Sequence, residues 1–208
     1  MIWLSEFGVE IRTCPKVLST SLKLMAFRLE NGKDFEPFTR RGKVVYVHEI
    51  YPTKPIGKTK SPKARYRIAF VRDPVERFTS FYRNRIIRTH AQELRQWDRL
   101  RETTLTRQPT PAELITRMEE YRCLVGSVRH HTEEQVSFLG RDAGYYDFIF
   151  NSRQVSHFEE LMSGWTGTVV RLPHEQRSGP DFVELGAEEI ASLRERYRAD
   201  YEVYGPWF

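Results

Sequence analysis

Lys16 is followed three residues later by three consecutive hydroxyl side chains in the run Cys14-Pro15-Lys16-Val17-Leu18-Ser19-Thr20-Ser21-Leu22-Lys23. A mobile ammonium beside hydroxyl groups and the free N–H groups of a helix start is chemistry that holds a phosphate or a sulfate. A plain Ser/Thr-capped helix has the same composition, so this stretch taken alone supports both readings equally. A second Gly-Lys-Thr run, Gly57-Lys58-Thr59, does not make a Walker loop. The glycine needed five residues earlier is Pro52, and no strand-to-helix frame surrounds it.

The elements around the first run support a site. Val9, Ile11 and Thr13 share one strand face, and Leu22, Leu24, Met25, Phe27 and Leu29 follow at helical spacing until Asn31-Gly32 closes the helix. Lys43-Val44-Val45-Tyr46-Val47-His48 reads as a strand covered on both faces in a parallel sheet, with His48 and Glu49 at its end. Pro52 to Lys63 is an exposed, proline- and lysine-rich loop. Tyr66 to Val71 predicts a further strand, broken by Asp73-Pro74, after which Val75, Phe78, Tyr82 and Ile86 recur at helical spacing. Thr110-Pro111-Ala112-Glu113 opens another helix with a capping box. Strands are also expected at Tyr146–Phe150 and Thr168–Leu172, a capped helix from Ser156 through Met162, and a last helix from Ala187 to Tyr201. Strands separated by helices predict an α/β fold of three layers, a mostly parallel sheet between helices, and a single domain over residues 1–208.

Composition narrows the class. A chain of 208 residues with 39% hydrophobic residues, 13 Phe, 10 Tyr and 4 Trp can bury a sizeable core. A net charge of +5 favours an anionic ligand but is too small to indicate nucleic acid by itself. Cys14 and Cys123, the only cysteines, have neither zinc-ligand nor disulfide-framework spacing, and reduced thiols in a cytoplasm fit them best. No apolar run approaches a membrane span, and the amino terminus lacks a signal-peptide pattern. The protein is accordingly expected to be soluble and cytoplasmic, with its oligomeric state open.

Two motifs in order carry a family resemblance. Pro15-Lys16-x-x-Ser19-Thr20-Ser21-Leu22 resembles the 5′-phosphosulfate loop of sulfotransferases. Phe70-Val71-Arg72-Asp73-Pro74-x-Glu76-Arg77-x-x-Ser80-x-Tyr82-Arg83-Asn84 is similar to their 3′-phosphate motif. The likeness is to carbohydrate sulfotransferases of the Golgi-enzyme type and their bacterial relatives, including the heparan sulfate 2-O-sulfotransferase branch. Later blocks continue it: His131-x-x-x-Gln135, with Glu134 where the family has proline, then Tyr146-Asp147-Phe148-Ile149, Leu172-Pro173-His174-Glu175-Gln176-x-Ser178 and Tyr197-x-x-Asp200-Tyr201-x-x-Tyr204-Gly205. One departure is Leu18, where many members have glycine.

The resemblance implies 3′-phosphoadenosine 5′-phosphosulfate as donor, no metal, and a hydroxyl of a carbohydrate or glycolipid as acceptor. Lys16 would stabilise charge on the oxygen bridging to the leaving phosphate. Lys16, Ser19, Thr20, Ser21 and Leu22 would form the loop around the 5′-phosphosulfate, while Arg72 and Ser80 would hold the 3′-phosphate. Arg177 and Ser178 lie on the loop where relatives often complete the nucleotide site. Arg77 and Arg83 are assigned to structural or solvent-facing roles. A base that takes the acceptor proton is sought in His48, with Glu49 as substitute and His131, beside Glu133 and Glu134, as third candidate. The Arg-rich span from Arg83 to Arg107 reads as a solvated helix face rather than an acceptor site. Against this stand a nucleotide or small-molecule kinase, disfavoured by the missing Walker loop, and a nucleic-acid-binding protein, for which no signature is present. Neither nucleic acid nor integral membrane association is expected.

Overall fold

The computed structural model describes residues 1–60, 62–88, 97–173 and 183–208. Two compact units emerge. The first gathers Met1–Arg72, the segment beginning at Gln135, and Val203–Phe208; the second gathers Asp73–Glu134 and the helical segment ending at Glu202.

The first unit contains a four-stranded sheet. Its strands are β1 (Ile2–Leu4), β2 (Val9–Arg12), β5 (Tyr66–Phe70) and β6 (Phe148–Phe150), side by side in that order. β1 runs antiparallel to β2, while β2, β5 and β6 are parallel, so the sheet is mostly parallel as the strand–helix alternation predicts. Every residue of β2 is buried. Val9 and Ile11 face one side; Glu10 and Arg12 face the other and form a buried ion pair. Such a pair is tolerated only when its remaining polar atoms are satisfied. Here Arg12 Nη1 donates to Thr59 Oγ1 at 2.9 Å, and the Tyr145 hydroxyl donates to Glu10 Oε2 at 2.9 Å. Thr59, the end of the apparent Gly-Lys-Thr phosphate loop, therefore serves the sheet.

Helix α1 (Ser19–Asn31) follows β2 and buries Leu22, Met25 and Ala26, ending at Gly32 in the left-handed conformation (φ 66°). The segment from Lys43 to His48 departs from its expected form. Only β4 (Lys43–Val45) is a strand, paired antiparallel with β3 (Phe38–Arg40) in a separate hairpin whose residues are largely exposed. Arg41 and Gly42, between the paired Arg40 and Lys43, both have positive φ (51° and 75°), the two-residue turn that matches strand twist. Val47–Ile50 then forms a short helix, α2, so His48 is a helical residue and not the end of a central strand.

The stretch Thr168–Leu172 is not a strand. Its N–H groups are taken by the preceding helix Val155–Thr166: Val170 N–H by Ser163 Oγ at 2.9 Å and Leu172 N–H by Glu159 Oε1 at 2.7 Å. That helix begins at Val155, one residue before the expected Ser156 cap, and extends past Met162.

In the second unit, α3 (Pro74–Tyr82) starts as Asp73-Pro74 predicts, with Asp73 Oδ1 accepting from the N–H groups of Val75 (2.9 Å) and Glu76 (3.0 Å). Helices Pro111–Thr116, Met118–Leu124, Gly126–Thr132 and Ala187–Arg196 belong to the same unit, with Phe78, Phe81, Trp97, Leu114, Tyr121 and Tyr197 in its core. Thr110 caps the first of these through Glu113 N–H at 3.2 Å. Arg77 is 1% exposed; its guanidinium donates to the carbonyls of His131 and Glu133 and lies 5.4 Å over the Tyr197 ring. It is a structural arginine of the second unit. No described helix is long and apolar enough to cross a membrane.

The Glu10–Arg12 pair yields a stability prediction. Glu10→Ala removes the carboxylate from a buried guanidinium and is expected to cost about 3–5 kcal/mol. The double variant Glu10→Leu/Arg12→Met, which buries apolar side chains instead, is expected to recover most of that loss. Urea midpoints of the three proteins check this, and equal loss in the single and double variants contradicts it.

Candidate functional site

The chain leaves β2 at Arg12 and must reverse into α1 within six residues. It does so through two left-handed residues, Lys16 (φ 68°) and Leu18 (φ 50°), with the Thr13 hydroxyl donating to the Val17 carbonyl and Val17 N–H to the Cys14 carbonyl at 3.3 Å. Left-handed non-glycine residues cost about 1–2 kcal/mol each, a strain usually found at functional loops. Leu18 thus stands in a conformation that glycine adopts freely, which gives a physical reason for glycine in related loops. Leu18 is also the N-cap of α1, and a leucine side chain offers no acceptor. The first-turn N–H groups of Ser19, Thr20 and Ser21 therefore carry the positive end of the helix dipole without a side-chain cap. Leu22 differs from them: it is fully buried, and its N–H bonds the Leu18 carbonyl at 3.0 Å.

Arg72 follows β5, the strand paired in parallel with β2, so the two strand-end loops leave the same edge of the sheet. Gln135, fully buried, fixes it there. Its Oε1 accepts from Arg72 N–H at 3.1 Å, and its Nε2 donates to the Arg72 carbonyl at 2.8 Å. Cys14 Sγ also reaches Gln135 Oε1, at 3.5 Å. The Arg72 guanidinium extends to the Lys16 carbonyl at 3.5 Å. The structure thus brings Lys16 and Arg72 together, and the Gln135 of the sequence block is what holds their loops in register.

His48 reaches the same loop by a different route from the expected one. Helix α2 places His48 Nε2 3.4 Å from Thr20 Oγ1 and Nδ1 3.0 Å from Lys23 Nζ. Lys23 is 3% exposed and also donates to Thr53 Oγ1 at 2.8 Å. Burial lowers its ammonium pKa to about 8, opposed by the field of the Glu49 carboxylate. Sequence reasoning missed Lys23, although its position three residues after Thr20 on one helix places both on one face. Glu49 Oε2 accepts from Tyr46 N–H at 2.7 Å and so caps α2.

The other sequence candidates are placed elsewhere. Ser80 lies on α3 in the second unit, 9% exposed. His131 Nδ1 contacts the Ser127 carbonyl at 2.7 Å and its ring stacks on Phe81, a packed histidine within that unit. Glu133 pairs with Arg122 at 3.0 Å. Arg177 and Ser178 lie outside the described residues. Cys14 is a buried free thiol and Cys123 an exposed one.

A mostly parallel α/β sheet whose strand-to-helix loop places a lysine beside an uncapped helix start has groups of the kind that hold phosphate or sulfate. A family model described as Sulfotransferase family matches residues 9–205, and the chain belongs to that family. No curated protein and no solved structure matches it.

The lowered pKa of Lys23 fixes a pH dependence of stability. Between about 8 and the ordinary 10.5 the unfolded chain binds a proton there that the folded chain does not, so this residue's contribution rises with pH across that window. Full development amounts to about 3 kcal/mol. Tyr51, raised by burial and Glu30, acts oppositely only once free phenols ionise near 10. The stability of the wild type relative to Lys23→Met is therefore expected to rise as pH is raised from about 7.5 to 9.5. Parallel urea titrations check this, and a constant difference contradicts it.

Proposed function

We propose that the protein transfers the sulfuryl group of 3′-phosphoadenosine 5′-phosphosulfate to a hydroxyl of a carbohydrate or glycolipid. Family membership supports sulfuryl transfer, and the observation that carries the donor assignment is the strained Lys16–Leu18 turn opening the first turn of α1 beside Arg72. The residues fit an anionic donor: a cation, three first-turn N–H groups with their hydroxyls, and a guanidinium, on one edge of the sheet.

In this reading the acceptor oxygen attacks sulfur in line, the bond from sulfur to the bridging oxygen breaks, and adenosine 3′,5′-bisphosphate leaves. Lys16 neutralises the charge that builds on the bridging oxygen. Ser19, Thr20 and Ser21 bind the 5′-phosphate. Arg72 and Ser80 carry the 3′-phosphate assignment from the motif resemblance. His48 takes the acceptor proton; it is preferred to Glu49, whose carboxylate caps α2, and to His131, whose Nδ1 lies against a helix carbonyl. None of these steps asks for a metal. Two free thiols suit a reducing compartment such as the cytoplasm.

Calorimetric titration with adenosine 3′,5′-bisphosphate, AMP and ATP tests the donor site. The bisphosphate is expected to bind at least about tenfold tighter than AMP, in line with one charge-assisted phosphate contact, and Arg72→Ala is expected to abolish that preference. The variant keeps the Arg72 peptide groups that Gln135 binds. Tighter binding of ATP than of the bisphosphate overturns the assignment in favour of a kinase.

A further inference from the structure

We infer that Lys23 is a positioning residue that decides whether His48 donates or accepts a proton through Nε2, an inference that rests on the base role proposed for His48. Lys23 and Thr20 project from one face of α1, and the His48 imidazole lies between them: Nδ1 is 3.0 Å from Lys23 Nζ and Nε2 is 3.4 Å from Thr20 Oγ1. An ammonium has three hydrogens and no lone pair. While Lys23 is protonated, its contact with Nδ1 is a hydrogen bond only if Nδ1 holds the lone pair of a neutral ring. The ring proton then sits on Nε2 and points at Thr20. In that state His48 donates into the loop and has no lone pair there for an acceptor hydroxyl.

Loss of the Lys23 proton frees a lone pair on Nζ and lets the pair reverse. The amine becomes an acceptor, the ring proton moves to Nδ1 and is shared with Nζ, and Nε2 turns its lone pair to the loop. As the new S–O bond forms, the acceptor proton passes to Nε2; the imidazolium shares its Nδ1 proton with the Lys23 amine, and the exposed ring returns the proton to solvent. Thr53 Oγ1, the other partner of Nζ at 2.8 Å, keeps the lysine end in place in both states. Among the described residues, the charged and titratable groups facing Lys23 are His48 and Glu49 of α2 and the amino group of Met1. Burial of Nζ brings its proton loss down to about 8, within reach of a working enzyme.

Ring-nitrogen NMR on imidazole-labelled protein, with His48 assigned by comparison with His48→Gln, reads the tautomer directly and needs no activity. In the wild type the Nε2–H form is expected to dominate near about pH 7 and to give way to Nδ1–H by about pH 9, and in Lys23→Met this exchange is expected to vanish. In parallel, wild-type kcat is expected to rise about tenfold over the same range, with donor KM changing less than about twofold, and Lys23→Met to lose that rise. A wild-type tautomer that does not change between those pH values overturns the inference without recourse to any variant. Should the bisphosphate fail to bind while the tautomer still switches, the sulfotransferase reading falls and the Lys23–His48 coupling stands.

Discussion

The Gln135 side chain hydrogen-bonds both peptide groups of Arg72, and on that clamp the geometry of the site depends. A primary amide carries an acceptor oxygen and a donor nitrogen side by side, so it can accept from an N–H and donate to the C=O of the same residue. Because Gln135 is fully buried, leaving either bond unmade would cost about 1–3 kcal/mol, so the clamp is held closed by its surroundings. The same Oε1 faces Cys14, the first residue of the Lys16 loop proper. Two loops leaving neighbouring parallel strands are thereby kept in register, and the Arg72 guanidinium comes to rest on the Lys16 carbonyl.

The sheet beneath prepares this edge. β2 is buried on both faces, and its polar face holds the Glu10–Arg12 pair, whose outer atoms are satisfied by Thr59 and Tyr145. The left-handed turn at Lys16 and Leu18 then aims the start of α1 outward at a conformational cost that the buried strand can sustain. Once that helix start is fixed, Thr20 and Lys23 fall on one face of α1, and α2 lays His48 across them. The chemistry of the site is therefore a consequence of backbone geometry more than of any single charged group.

Much of this was legible in the residues. The alternation in β2, the helical spacing after Ser19, the Asn-Gly terminator and the Asp73-Pro74 cap rest on local rules that tertiary packing does not override. The β3–β4 hairpin was not legible, because its β-branched run implies burial while its turn is Arg41-Gly42 in place of the usual Asn-Gly. Thr168–Leu172 has strand composition, yet the side chains of Ser163 and Glu159 take N–H groups that a neighbouring strand would need. Lys23 looked like any helix lysine; only the arrival of α2, which is not local in sequence, buries it against His48. His48 was singled out for its chemistry and for a strand end that the fold replaces with a helix.

Backbone amide NMR during titration with adenosine 3′,5′-bisphosphate tests the central claim most directly. If the uncapped first turn of α1 is the anion site, the largest shifts fall on Ser19, Thr20 and Ser21 and on Lys16, and a titration with AMP reproduces them because it carries the same 5′-phosphate. Saturating shifts that leave this turn unmoved and cluster on other residues would contradict the account.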